Sequence, residues 1–166
     1  FIGNRLVREL ALDGHAIVSL TRRKDHAGLF AAPNVRYVRW DGIDSAAIAP
    51  LVEDAEAVFN FAGESIASLR WTEARKKVLT ESRTGPTSAI VAAIAAATSK
   101  PKALVNASAV GYYGNVDEGD VTEESPAGEG FLASLCVEWE KAAMKASESG
   151  VRVVTLRTGF VVGGKG

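Results

Sequence analysis

The sequence predicts an α/β fold built on a doubly wound parallel sheet, for three reasons. Short β-rich runs alternate with stretches of helical period, the pattern of βαβ units. Gly3 opens an amphipathic helix, as in the glycine turn of such sheets. The stretch Ala103–Gly114 starts as a short buried strand (Ala103, Leu104, Val105) and breaks into small residues. It ends in Tyr112 and Tyr113, bracketed by Gly111 and Gly114. Ligands of open α/β sheets bind beyond the carboxyl ends of the strands. Ser108 and a phenol of Tyr112 or Tyr113 are therefore either site groups or parts of a turn with half-buried tyrosines.

In chain order, Ile2, Leu6, Val7, Leu10 and Ala11 share one helical face, with Asn4, Arg5, Arg8 and Glu9 on the other. Asp13-Gly14 closes this helix, Gly14 being a natural residue for the position past a helix end. Strands are expected at 15–20, 35–40 and 57–61, with a short helix over 45–51. Thr72 caps a helix with Glu73 in its first turn, favourable at the positive end of the dipole. Gly85-Pro86 interrupts it, and 87–98 is a separate alanine-rich helix packed by Ile90, Val91 and Ile94. The acidic stretch 115–130 lacks calcium-loop spacing and reads as a solvated loop, without a metal. A helix over 131–149 and a strand over 151–156 complete the pattern, before Arg157-Thr158-Gly159 and a glycine-rich end, Gly163-Gly164-Lys165-Gly166.

The 166 residues suit one domain, and 47% apolar content suffices for a core. A net charge of −1 carries no footprint of nucleic-acid binding. The longest apolar run, 89–97, is far shorter than the ~20 residues of a membrane span. The single cysteine, Cys136, fits a reducing compartment, and the expected location is the cytoplasm. A helix rather than a central strand comes first, and the other end is equally abrupt, so the sequence reads as a fragment.

Several segments now combine: Phe1-Ile2-Gly3, Asn60-Phe61-Ala62-Gly63-Glu64, Arg70-Trp71, Ser82-Arg83, Ser108-Ala109-Val110-Gly111-Tyr112-Tyr113-Gly114, Trp139-Glu140 and Leu156-Arg157-Thr158-Gly159. In this order they resemble the atypical extended short-chain dehydrogenase/reductases, epimerase-like proteins described as NADP-dependent oxidoreductases. The resemblance implies a Rossmann-like three-layer αβα domain over residues 1–166 that lacks its first strand and a C-terminal substrate domain.

It also implies site roles. Phe1, Ile2 and Gly3 stand where a helix N-terminus borders a pyrophosphate. Thr21-Arg22-Arg23 follows the second strand of the family's sheet with no acid before Asp25, which suits the 2′-phosphate of NADP better than the bare ribose of NAD. Asp41 resembles the carboxylate that meets the adenine amino group, and Phe61-Ala62-Gly63 lets backbone approach the cofactor. Arg83 either neighbours the cofactor or pairs with a surface acid. The family's proton donor and its activating lysine, spaced Tyr-x-x-x-Lys, should open the helix from Phe131; counting back from Glu140 puts Leu132 and Cys136 there. The dyad is absent, leaving Ser108, Tyr112 and Tyr113 as the catalytic candidates for a small-molecule substrate.

Overall fold

A computed structural model describes residues 1–26, 28–67 and 70–162. The glycine-rich end at 163–166 lies outside the described residues. All strand pairing among them is parallel. Strands β1 (Ile17–Thr21) and β2 (Val35–Arg39) form one sheet, in register from Ile17 with Val35 to Thr21 with Arg39. Strands β3 (Ala57–Asn60), β4 (Ala103–Ala109) and β5 (Arg152–Thr158) form another, in that order. The mixed α/β architecture with parallel, Rossmann-like sheets is as expected.

Helix α1 (Ile2–Leu12) contacts β1, and Gly14 past its end takes φ +87°. Helices α2 (Ser45–Val52), α3 (Glu73–Ala96) and α4 (Phe131–Met144) pack as one layer. Their shared core contains Ile48 and Val52 of α2, Ile90 and Ile94 of α3, Ala143 of α4 and Leu104 of β4. Burying each large aliphatic side chain here contributes roughly 1.5–3 kcal/mol.

Three sequence expectations are corrected. The break at Gly85-Pro86 does not occur, and α3 runs unbroken for 24 residues with Pro86 inside. Gly85 has no Cβ to collide with the proline ring, and Pro86 is buried with its Cγ against Gly42. Tertiary packing outweighs the lost backbone donor. Strand β4 continues through Ala109, because β5 pairs with every residue from Ala103 to Ala109. Ser108 is thus a strand residue, and the turn after it is a 3₁₀ helix, Val110–Tyr113. The last helix is α-helical only to Met144; Lys145–Ser149 tightens to 3₁₀ and ends at Gly150, φ +79°.

A buried polar cluster locks α3 and α4 to the sheet. Asn60 Nδ2 donates to Thr87 Oγ1 at 2.8 Å and to Asn106 Oδ1 at 2.6 Å. Trp139 Nε1 donates to the same threonine oxygen at 3.0 Å, and Thr87 donates to the Arg83 carbonyl at 2.7 Å. Asn60 Oδ1 accepts from Ala62 N, so the cluster also sets the chain's exit from β3. Satisfied networks of this kind fix a single packing.

Candidate functional site

At the carboxyl ends of β1 and β2 lies a cleft of about 450 Å³ lined by Arg22, Arg39, Trp40, Asp41, Asp44 and Ala47. Its floor is local turn chemistry. Asp41 Oδ1 accepts from the amides of Ile43 and Asp44, which holds the Asp41 carboxyl below its ordinary range. Asp44 caps α2 by accepting from Ala46 N and Ala47 N, and Trp40 Nε1 donates to its carbonyl. Thr21 Oγ1 accepts from Arg23 N, turning the chain so that Arg22 faces the cleft and Arg23 stays exposed.

Arg22 also reaches the exit of β3, where its Nη2 lies 3.1 Å from Glu64 Oε1. The backbone of Glu64 is clamped: its N–H donates to Ser82 Oγ, and its carbonyl accepts from Arg83 Nη2 at 2.9 Å. Arg83 further donates to the Leu79 carbonyl and lies over the Trp139 ring, 5.3 Å from its centroid. Burial pulls this guanidinium below its ordinary value. A side chain at Gly63 would press on Arg83, since a Cβ there would lie 3.2 Å from its Cζ. Arg83 thus braces the Gly63-Glu64 backbone rather than pairing with a surface acid.

A second centre stands at the end of β4. Ser108 is 3% exposed, and its hydroxyl donates to Glu140 Oε1 at 2.6 Å. Arg157, on β5, forks onto the same carboxylate: Nε to Oε1 and Nη2 to Oε2, both 2.9 Å. Such bidentate, charge-assisted pairs are the strong ones. Burial pushes the Glu140 carboxyl up, but the bonds from Arg157 and Ser108 and the Arg157 charge outweigh it, leaving the carboxyl below its ordinary range. The Glu140 bond in turn holds the guanidinium above its own. The third arm of Arg157 donates from Nη1 to the Tyr113 hydroxyl at 3.0 Å, and its Cζ lies 3.4 Å from the Tyr112 ring centroid. Tyr112 and Tyr113 meet edge to face at 5.3 Å.

This centre lies beside α4, as the spacing from Glu140 predicts. Gly111 faces Leu132 and Cys136, where a tyrosine and a lysine stand in the family pattern. Burial pushes the Cys136 thiol up, which disfavours the thiolate. A cleft of about 330 Å³ opens nearby, lined by Trp71, Gly111, Gly114, Asn115, Glu129, Phe131 and Leu132. Trp71 packs edge-on to Phe131 at 5.7 Å and donates from Nε1 to the Ile66 carbonyl.

The acidic stretch is more than a solvated loop. Gly128 N donates to the Tyr112 carbonyl at 2.9 Å, and the Glu123 carbonyl accepts from Arg157 Nη1. A Cβ on Gly128 would collide with the Tyr113 carbonyl, so only glycine permits this approach.

The fold therefore brings Arg22 and Asp41 together at one cleft, and Ser108, Tyr112 and Tyr113 together around Arg157. Phe61, Ala62 and Gly63 lie at the exit of β3, with Gly63 against Arg83. Phe1, Ile2 and Gly3 begin α1, with Gly3 in open space, but do not line the Arg22 cleft. Sequence reasoning gave no site role to Arg39 or Arg157, and read Glu64 only as a residue that could face the pocket. The signal for Arg157 was a lone cation ending an apolar strand run; its place beside Ser108 comes from the register of β4 and β5.

A family model for the NAD dependent epimerase/dehydratase family matches residues 1–165. An epimerase family protein of Mycobacterium bovis is 40% identical over 161 residues, covering 97% of this chain and 50% of that protein. A chloroplastic epimerase family homologue of Arabidopsis thaliana is 41% identical, covering 100% of this chain and 48% of the relative. The chain thus spans about half the length of the curated relatives it matches. Among solved structures, the human epimerase family protein SDR39U1 with NADPH superposes with a TM-score of 0.80 at 30% identity, covering 100% of this chain and 52% of that one. A nucleoside-diphosphate sugar epimerase of Corynebacterium glutamicum gives 0.78 at 34%, covering 100% and 33%. Among the described residues no helix is long and apolar enough to cross a membrane. With parallel Rossmann-like sheets, a strand-end site and a match over nearly its whole length, the chain belongs to the NAD dependent epimerase/dehydratase family.

Proposed function

We propose that residues 1–166 form the NADP-binding domain of an epimerase-like oxidoreductase acting on a small carbonyl or sugar-nucleotide-like substrate. The observation that carries this reading is the pair of guanidinium groups, Arg22 and Arg39, lining one cleft with Asp41. The cleft fits the adenosine end of NADP: two cations for the 2′-phosphate and a carboxylate for the adenine amino group. Phe1, Ile2 and Gly3 would border the pyrophosphate at the start of α1, and Thr21, Arg23, Phe61, Ala62, Gly63 and Arg83 complete or support the walls. The NADPH in the human structural relative supports the same choice.

When bound, the nicotinamide supplies or accepts a hydride. This chain's own residues position the substrate and handle the proton. The Tyr113 oxygen accepts from Arg157, so that bond does not use its own O–H, which can donate to a substrate oxygen. Tyr112, stacked beneath Arg157, holds that guanidinium in place. Ser108 is committed to Glu140 and acts on a substrate only by releasing that carboxylate. Its lone Cys136 suits a reducing, cytoplasmic setting.

The buried, engaged Ser108 and the apolar Leu132 favour one alternative, an NADP-binding sensor or scaffold with little turnover. NADPH oxidation with a panel of carbonyl compounds separates the two. An enzyme loses turnover in Tyr113→Phe and keeps NADPH affinity; a sensor binds NADPH and turns over nothing in either form. Failure of NADPH to bind at all would remove the cofactor assignment.

A further inference from the structure

We infer that Glu64 is a built-in rival of the cofactor's 2′-phosphate and sets how strongly the protein prefers NADP over NAD. This rests on the placement of the 2′-phosphate at Arg22.

The guanidinium assigned to that phosphate already has an anion. Arg22 Nη2 donates to Glu64 Oε1 at 3.1 Å, across 42 residues of sequence, from the end of β1 to the exit of β3. Glu64 does not drift into this contact. Ser82 holds its amide, Arg83 holds its carbonyl, and Arg75 Nη2 lies 3.7 Å from its other carboxylate oxygen. Arg22 is the more exposed partner, its side chain 68% exposed against 33% for Glu64. An exposed cation of the cleft is thus tied to a carboxylate whose backbone is clamped.

Two consequences follow from charge alone. A 2′-phosphate must take Arg22 from Glu64, and a carboxylate fixed beside the bound phosphate repels it. Both penalties fall on NADP and spare NAD, which brings no 2′-phosphate to the contest. Glu64 also supplies the carboxylate that the sequence lacks after β1, poised to accept hydrogen bonds from bare ribose hydroxyls. One residue therefore narrows the cofactor preference that Arg22 and Arg39 create. The exposure of Arg22 makes the contact a weak ion pair, so the penalty is a few-fold in affinity, not orders of magnitude.

The test is calorimetric titration of the protein with adenosine 2′,5′-bisphosphate and ADP, then with NADPH and NADH, at two salt concentrations. Glu64→Gln removes the charge and keeps the shape. It should tighten adenosine 2′,5′-bisphosphate and NADPH about two- to fivefold, leave ADP unchanged, and tighten both less in an Arg22→Gln background, where only the direct repulsion is left to relieve. NADH should bind equally or more weakly. Glu64→Asp, which retains the charge, should not reproduce the gain, and the gain should shrink at the higher salt. Unchanged or weaker NADPH binding in Glu64→Gln, with Arg22→Gln still costing NADPH affinity, overturns this inference and leaves the cofactor assignment standing. If the wild type binds the bisphosphate no better than ADP, and Arg22→Gln changes neither, the assignment itself falls and the inference with it. Thermal melts of each variant identify folding losses, and the Glu64→Asp comparison still decides if Glu64→Gln melts early.

Discussion

Replacing Glu140 with alanine should destabilise this protein more than any surface change. The carboxylate holds both Arg157 bonds at 2.9 Å and the Ser108 hydroxyl at 2.6 Å. The side chains of Arg157 and Glu140 are only 17% and 11% exposed, so solvent screens the pair little. Removing one partner of such a pair costs about 3–5 kcal/mol, mostly because the other charge is left buried alone. The orphaned Ser108 adds roughly 1 kcal/mol. Glu140→Ala should therefore lose about 4–6 kcal/mol, a large part of a typical domain's stability. Replacing both partners, Glu140→Met with Arg157→Met, should recover much of that, because the buried charge is gone. Urea unfolding followed by tryptophan fluorescence gives each value, with a double-mutant cycle for the coupling. A loss below about 1 kcal/mol, or zero coupling, would refute the claim that this pair is a tight buried unit. The same pair predicts a pH signature. The folded Glu140 carboxyl lies below its unfolded value of about 4.3. Its stabilisation is therefore complete above that value and is lost as pH falls through the folded one. Wild type should lose this increment below about pH 4; Glu140→Gln should show no such step.

Other changes test the remaining parts. Arg22→Asp should weaken NADPH binding about tenfold or more and NADH far less; equal losses in fluorescence titration would show that Arg22 does not read the 2′-phosphate. Thr87→Val leaves Asn60 Nδ2 and Trp139 Nε1 without their shared acceptor, so urea unfolding should show a loss of about 2–4 kcal/mol. Gly128→Ala should cost roughly 1–3 kcal/mol and displace the Tyr112-Tyr113 turn, seen as altered tyrosine ring signals in NMR; a silent substitution would contradict the close backbone approach. Pro86→Ala should stay within about 1 kcal/mol of wild type in thermal unfolding, since the helix already runs through that position.

Sequence alone determined the element types and their order. Period-two and period-3.6 patterns are local, so the five strands and the helical stretches were legible, although α3 read as two helices parted at Gly85-Pro86 and β4 read shorter than it is. It also determined which chemistry-bearing residues gather at strand ends, because parallel strands leave one carboxyl edge for Arg22, Asp41 and the Ser108–Tyr113 stretch. Long-range packing decided the rest. Pro86 reads as a breaker until a buried groove beside Gly42 receives its ring. Ser108 reads as a free hydroxyl until β5 puts Arg157 in register beside it and α4 supplies Glu140. Arg22 reads as a free cation until the exit of β3 offers it Glu64. A charge declares its type in the sequence, but its partner is set by which strands become neighbours, and no local pattern encodes that.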